Sequence, residues 1–180
     1  MENEASIADQ PSGNIWRYLG WGSAVALILA PLVAMQFTRE VNWTPMDFAF
    51  ATVLIGSVGL VLELAVRKTR NGYYRTAVAA ALLAGFVEIW VNGAVGIVGD
   101  GENPATLLFS AIPLLALAGA VVVRGRAASM VAVMVGAAAV QTAAAIVTYA
   151  MFRDNGSLIT LVFAGLWVLS GLLFGRAARR

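Results

Sequence analysis

The sequence predicts an all-α integral membrane protein, a bundle of six transmembrane helices with both termini in the cytoplasm. Of its 180 residues, 60% are hydrophobic and 12% are charged, and the mean hydropathy is +0.81. A soluble domain carries about 25% charged residues, so this chain has too few of them to cover a water-soluble surface. The apolar residues also fall in blocks of about 20, the length that crosses a hydrocarbon core about 30 Å thick.

Short connections join the six apolar stretches, so consecutive helices should be antiparallel neighbours in one bundle. The predicted transmembrane domain covers residues 15–176. It lies between a polar, acidic tail over residues 1–14, which we expect to be disordered, and a basic tail over residues 177–180. The predicted spans are Trp16–Phe37, Pro45–Val66, Thr76–Val98, Thr106–Val123, Ser129–Tyr149 and Leu158–Phe174.

The positions of the basic residues predict the orientation of the bundle. The loops after the first, third and fifth spans carry only Arg39 and Arg153, and the other ten of the 12 Lys and Arg residues lie near the remaining loops and the two ends of the chain. Cytoplasmic loops of membrane proteins carry an excess of Lys and Arg. We therefore expect a multi-pass protein of a bacterial-type inner membrane with its N- and C-termini inside.

The chain contains neither cysteine nor histidine, which limits the chemistry available to it. Disulfides, thiolate nucleophiles, Cys/His zinc sites, Ser–His triads and His-ligated haem all need one of these residues. We therefore predict no cofactor, no metal site and no enzymatic activity. The net charge of +2 does not indicate nucleic-acid binding, because the basic residues lie at the ends of the apolar stretches and form no basic face.

Glu88 is the first candidate for a functional residue, because an ionisable group at membrane depth costs about 2.5–3.5 kcal/mol to insert. It lies near the middle of the third span, and Asn92 follows one helical turn later on the same face. No basic residue lies in the interior of any span, so we expect the Glu88 carboxyl to hold a proton. A proton-coupled carrier would use such a group. The alternative is that a neutral Glu88 joins helices through Asn92 or Gln141.

Asp47 and Gln141 complete the predicted polar intramembrane site. Asp47 follows Thr44 and Pro45, an N-cap residue and a first-turn proline that favour the start of a helix, as does an acid in the first turn. Its depth should match that of Asn92, so Asp47 could instead share a pocket with Glu88. Gln141, central in the fifth span, either joins helices or lines the pocket. Glu63 and Arg67, four residues apart, are interpreted as a structural ion pair.

Small residues spaced four apart predict close helix packing, because small side chains let backbones approach each other in lipid. Such packing faces either close the bundle on itself or join protomers. The third span also ends in glycines at every third position, which should weaken the helix beside Asn92, since each costs about 1 kcal/mol relative to alanine. The predicted packing residues are Ala77, Ala81 and Gly85, then Ala128, Ala132 and Gly136, then Gly171 and Gly175, and the weakening glycines are Gly93, Gly96 and Gly99.

Three segments resemble those of a family of small polytopic bacterial inner-membrane proteins. They are residues 90–105 (with Trp-Val-Asn-Gly-Ala-Val-Gly-Ile-Val-Gly at 90–99 and Glu-Asn-Pro-Ala at 102–105), residues 43–49 (Trp-Thr-Pro-Met-Asp-Phe-Ala) and residues 62–64 (Leu-Glu-Leu). The resemblance covers the chain from Trp43 to the basic tail. It implies a bacterial origin and the multi-pass arrangement, and it assigns no activity and no site residue.

Two functions are the main alternatives. The first is a small proton- or cation-coupled transporter in which Glu88, Asn92 and Asp47 share a pocket. The second is a non-catalytic accessory or assembly subunit of a larger membrane complex, in which the same residues join helices or subunits. The expected partners are the lipid bilayer and either a second copy of the chain or other subunits of a membrane complex, with a small ion or solute as cargo in the first case.

Overall fold

The computed structural model describes residues 13–94, 96–97, 103, 105–153 and 155–180, and nearly all of them are helical. No strand occurs within these ranges, so the predicted all-α class is confirmed. The helices are α1 (Gly13–Ala34), α2 (Pro45–Lys68), α3 (Gly72–Ala94), α4 (Thr106–Val122), α5 (Ala127–Phe152), α6 (Asn155–Ile159) and α7 (Leu161–Ala178).

The helices coincide with the predicted apolar stretches. In the described part of the chain, five are long and apolar enough to cross a membrane when α6 and α7 are taken together as Asn155–Ala178, and α4 is a shorter apolar helix of 17 residues. The turn at Thr160 that separates α6 from α7 is not predicted by the apolar pattern. These helices support a multi-pass membrane protein.

Most helix boundaries differ from the predicted ones by one to four residues, and the end of α3 and the start of α1 are two examples that involve glycines. The third predicted span extends to Val98, but α3 ends at Ala94, and Gly96 adopts a φ of +73° while its N–H donates to the carbonyl of Asn92. Glycine adopts this left-handed conformation without a steric penalty. At the other end of the chain, α1 already begins at Gly13, and the rest of the predicted disordered tail, residues 1–12, lies outside the described residues.

The chain divides into two compact units, Met1–Leu60 and Val61–Arg180, where the sequence predicts one domain over residues 15–176. In the first unit, the indole ring of Trp21 on α1 lies against Gly59 on α2, with a ring carbon 3.2 Å from the place that a Cβ of residue 59 would take. The second unit contains the remaining helices, and α7 continues two residues beyond the predicted limit at 176, to Ala178.

Four helices of the second unit pack in a ring, in which α3 contacts α4, α4 contacts α5, α5 contacts α7, and α7 contacts α3. Large apolar side chains fill the interior, notably Phe109, Ile112, Met134, Trp167 and Phe174, each at most 2% exposed. Apolar side chains also cover the outer faces of these helices, as a bilayer requires. The interior therefore excludes solvent along most of its length.

Hydrogen bonds join the basic loops at one end of this ring. The Lys68 ammonium donates to the carbonyl of Arg124 at 2.8 Å, and the Tyr74 hydroxyl donates to the carbonyl of Gly125 at 2.8 Å. The Asn71 amide donates to the carbonyl of Ala177 at 3.3 Å. The α2–α3 loop, the α4–α5 loop and the C-terminus of α7 thus lie together, and we call this the basic end of the unit.

Two of the three predicted sets of small packing residues, the α3 stripe and the α7 stripe, pack inside the unit. On α3, Ala77 and Gly85 are buried, and the Cβ position of Gly85 lies 3.0 Å from Cβ of Pro113 on α4. On α7, the Cβ position of Gly171 lies 3.4 Å from Cβ of Met134 on α5. On α5, Ala128, Ala132 and Gly136 are exposed, so they do not close the second unit on itself, and the alternative that they join protomers stays a prediction.

Gly85→Val should destabilise the bundle, because the added side chain collides with Pro113 and approaches Trp167. Overpacking of this kind costs about 1–3 kcal/mol. We expect a clear fall in the unfolding temperature of the detergent-solubilised protein, measured by circular dichroism. Gly136→Val is the matched control, since nothing lies within 4 Å of that position. Equal unfolding temperatures for the two variants would contradict the close approach of α3 and α4.

Candidate functional site

Glu88 lies in the interior of the four-helix ring. Its side chain is 0% exposed, and neither carboxyl oxygen has a hydrogen-bond partner of good geometry among the described residues. Its position follows from Gly85, three residues earlier on α3, because the missing side chain there brings α3 close to α4 and α7. The carboxyl is thereby removed from the surface that lipid would cover.

Gln141 of α5 lies next to the Glu88 carboxyl and is also 0% exposed. Its amide nitrogen is 3.5 Å from the carbonyl of Thr160, the residue that separates α6 from α7. Its amide oxygen has no partner in the described part of the chain. The structure thus brings two of the four predicted site residues together and connects them to the interruption before α7.

Asn92 lies one turn beyond Glu88 on α3 and is 8% exposed. Its amide nitrogen donates to the carbonyl of Thr106 at 2.7 Å and to the hydroxyl of Ser110, so it ties α3 to the first turns of α4. Its amide oxygen has no partner in the ranges that the structure describes. Asn92 thus combines a structural contact with an unsatisfied acceptor close to Glu88.

No cation compensates the Glu88 carboxyl from the surrounding helices. The sequences of α4, α5 and α6 contain no charged residue, and that of α7 contains only Arg176 at its last turn. On α3 the nearest basic residue is Arg75, about 20 Å away along the helix axis at 1.5 Å per residue, and its guanidinium donates to the carbonyls of Thr69 and Val66. A buried carboxyl without a cation is held more easily in its neutral form than in its charged form.

The polar residues around Glu88 are distributed unevenly along the bundle. Toward the end opposite the basic end lie the buried side chains of Asn92, Thr106, Ser157 and Thr160. Toward the basic end, the indole of Trp167 packs beside Gly85, and its ring carbon Cη2 is 3.7 Å from the Cβ position of that glycine. Glu88 therefore has polar neighbours on one side and an apolar barrier on the other.

Sequence analysis does not identify several members of this group. Thr106 and Ser110 are spaced four apart in an apolar stretch, and Ser157 and Thr160 three apart, spacings that place each pair on one helix face. That signal could have identified them. Trp167 is 2% exposed with an indole nitrogen that lacks a partner among the described residues, and nothing in the sequence distinguishes it from an ordinary packing residue.

Asp47 belongs to the other unit and takes part in a local helix cap. Its carboxylate accepts hydrogen bonds from the Thr44 amide at 2.7 Å and the Thr44 hydroxyl at 2.8 Å. The reciprocal arrangement of an N-cap side chain and an acid three residues later is a capping box. Glu63 and Arg67 form the predicted ion pair at 2.6 Å. Both acids thus have well-formed structural hydrogen bonds or ion pairs, whereas Glu88 has only the Gln141 amide beside it.

The arrangement can take up and release a proton at Glu88. Within the described residues, no group of three or more acids could hold a metal ion. No family model, curated protein or solved structure matches this chain. The chemistry of the site must therefore be argued from its own residues.

Glu88→Gln should leave the protein folded, with an unfolding temperature equal to or above that of the wild type. The amide keeps the size of the carboxyl and is neutral at any pH, so it replaces a protonated carboxyl with little cost and cannot become a buried charge. Glu63→Gln is the matched control, and its lost ion pair should cost about 0.3–0.5 kcal/mol. A large loss of stability in Glu88→Gln alone, measured by thermal unfolding in detergent, would identify Glu88 as a structural residue.

Proposed function

We propose that this chain is a small proton-coupled translocator and that Glu88 is its proton-binding group. The observation that carries the proposal is a fully buried carboxyl inside a ring of four helices, beside the Gln141 amide but without a hydrogen bond of good geometry among the described residues, and without a basic residue near it on these helices. Ionisable residues inside membrane spans are rare and mark ion or proton pathways. A residue that only joined helices would be expected to make well-formed hydrogen bonds through both oxygens.

The uneven surroundings of Glu88 support a route for the proton. The oxygens of Asn92, Thr106 and Ser157 that have no partner among the described residues lie on the side away from the basic end and offer a series of polar groups through which a proton could pass. Toward the basic end, Trp167 and the apolar core would have to move before the proton could leave. A carrier needs such a barrier, because a site open to both sides at once would leak.

The membrane arrangement that we propose has six spans, with α4 as the fourth, and both termini in the cytoplasm of a bacterial cell. The joining of the basic loops at one end of the second unit supports this orientation, because the positive-inside rule places them on one side. On this arrangement the polar side chains beyond Glu88 face the periplasm, and the proton enters from there.

The orientation can be tested with single cysteines, because the chain has none of its own. Arg153→Cys and Arg126→Cys each replace an exposed loop arginine, one in the α5–α6 loop and the other in the α4–α5 loop. In intact cells or spheroplasts, a membrane-impermeant thiol reagent should label Arg153→Cys, and it should label Arg126→Cys only after permeabilisation. The reverse pattern would invert the proposed topology.

Proton flux through the purified protein tests the function itself. In liposomes with a potassium diffusion potential and an internal pH dye, the wild type should move protons, and Glu88→Gln should abolish that movement because the amide cannot release a proton. Glu63→Gln should retain the wild-type rate. Equal flux in wild type and Glu88→Gln would exclude Glu88 as the proton-binding group, and absence of flux in the wild type would argue against the translocator.

One observation favours a second candidate, an accessory or assembly subunit. The apolar stretch Arg17–Ala34 of α1 is long enough to cross a membrane, and none of its described residues is buried. A helix whose packing is confined to a contact such as that of Trp21 with Gly59 leaves most of its surface available to a neighbouring subunit. Release from native membranes in mild detergent distinguishes the two functions, because a stoichiometric companion supports the subunit, whereas a monomer or homodimer supports the carrier.

A further inference from the structure

A groove opens at the basic end of the second unit, where the α2–α3 loop meets the end of α7. Residues far apart in the sequence form it, since one side comes from the start of α3 and the other from the last residue of the chain. Its lining residues are Arg70, Asn71, Gly72, Tyr73, Thr76 and Arg180.

Two guanidinium groups border this groove, and neither has a carboxylate partner. Cζ of Arg180 lies 4.8 Å from the centroid of the Tyr73 ring, a cation–π contact that places the C-terminal arginine over the start of α3. Arg70 makes no ion pair in the described chain, and at this end of the unit the described carboxylate, that of Glu63, is already bound by Arg67. The charge of the groove therefore remains available to an anion.

The basic residues around the groove reinforce its positive charge. Lys68 and Arg75 are held by backbone carbonyls, which leave their charges uncompensated. Clusters of Lys and Arg at the end of a transmembrane bundle attract anionic lipids, and basic pockets between helices bind their headgroups. The remaining basic residues of this end are Arg124, Arg126, Arg176 and Arg179.

The groove continues onto the exposed surface of α3, which could contact the hydrocarbon tail of a lipid. A free anion would make no use of this surface. Thr76, Ala79 and Leu83 are exposed along one side of the helix, and the first two have small side chains. They form a strip that leads away from the two arginines toward the middle of the bundle, and its one hydroxyl, that of Thr76, is bonded to the carbonyl of Gly72. A ligand that fits both features has a phosphate at one end and a hydrocarbon chain at the other.

We propose that this groove binds the headgroup of an anionic phospholipid, with Arg70 and Arg180 on the phosphate and an acyl chain along Thr76, Ala79 and Leu83. Arginine is suited to this contact because its planar guanidinium donates two parallel hydrogen bonds to phosphate oxygens. Tyr73 lies between the charged and apolar parts, as aromatic residues do at membrane interfaces. The site does not depend on proton transport.

The test uses the full-length protein in neutral detergent and compares Arg70→Gln/Arg180→Gln with Arg126→Gln/Arg179→Gln. Both variants lose two positive charges at the same end of the unit, but only the first pair lines the groove. Native mass spectrometry and thermal unfolding then report the binding of phosphatidylglycerol, phosphatidylcholine and inorganic phosphate.

We expect the wild type and the Arg126/Arg179 variant to retain phosphatidylglycerol, and the Arg70/Arg180 variant to lose affinity by about tenfold or more, as expected for the loss of charge-assisted hydrogen bonds. Arg70→Lys/Arg180→Lys should recover part of that affinity. Equal losses in both double-Gln variants would show general charge attraction and overturn the proposal, as would equal binding of phosphatidylcholine. Stabilisation by inorganic phosphate at the same concentration would overturn the lipid assignment.

Discussion

The close approach of α3 to α4 and α7 at Gly85 is the contact on which the interior of the second unit depends. Helices in lipid gain little from hydrophobicity alone, because the surrounding tails are as apolar as leucine, and they associate through close packing instead. With Pro113 at 3.0 Å and Trp167 at 3.7 Å from the Cβ position, Gly85 leaves no room for a side chain. Glu88 is enclosed because it follows three residues later on the same helix.

Pro113 packs against Gly85, and it also changes the hydrogen bonding of its own helix, α4. Pro113 has no N–H, so the carbonyl of Phe109 loses its intrahelical donor. The start of α4 is nevertheless held in place, because the Asn92 amide bonds the carbonyl of Thr106 and the hydroxyl of Ser110. A buried side chain of α3 thus stabilises the first turns of α4, next to the turn in which the proline removes a hydrogen bond. The same asparagine also places near Glu88 an amide oxygen that lacks a partner in the described part of the chain.

Sequence analysis predicts the helices well, because each apolar block is long and bounded by charged or glycine-rich segments. It predicts poorly which side of a helix faces inward. A soluble helix shows its buried face by amphipathic periodicity, but the helices here are apolar on nearly all sides, so the α3 and α5 stripes look alike in the sequence. Only the α3 stripe is buried, and α5 instead packs through Met130, Met134, Ala137 and Ala138.

In the candidate site, too, the sequence predicts some residues, whereas their contacts depend on tertiary packing. Glu88 is identified from the sequence because any carboxylate at membrane depth needs an explanation, and Asn92 follows from helical spacing. The contact between Gln141 and Glu88 depends on how α3 and α5 are arranged around α7, and the interruption at Thr160 depends on no proline or glycine at that position. Both are products of tertiary packing, which local sequence patterns do not specify.

Glu88 and the strip proposed to hold the acyl chain lie on one helix but on different sides of it. Thr76, Ala79 and Leu83 precede Glu88 by 12, 9 and 5 positions, which correspond to rotations of about 120–180° at 3.6 residues per turn. A lipid whose chain follows this strip would therefore contact the outer surface of α3 and could not reach the Glu88 carboxyl. It would hold the end of the helix that carries the proton site, while Gly85 holds its middle. The two sites therefore share a scaffold and no side chain, so the loss of one need not abolish the other.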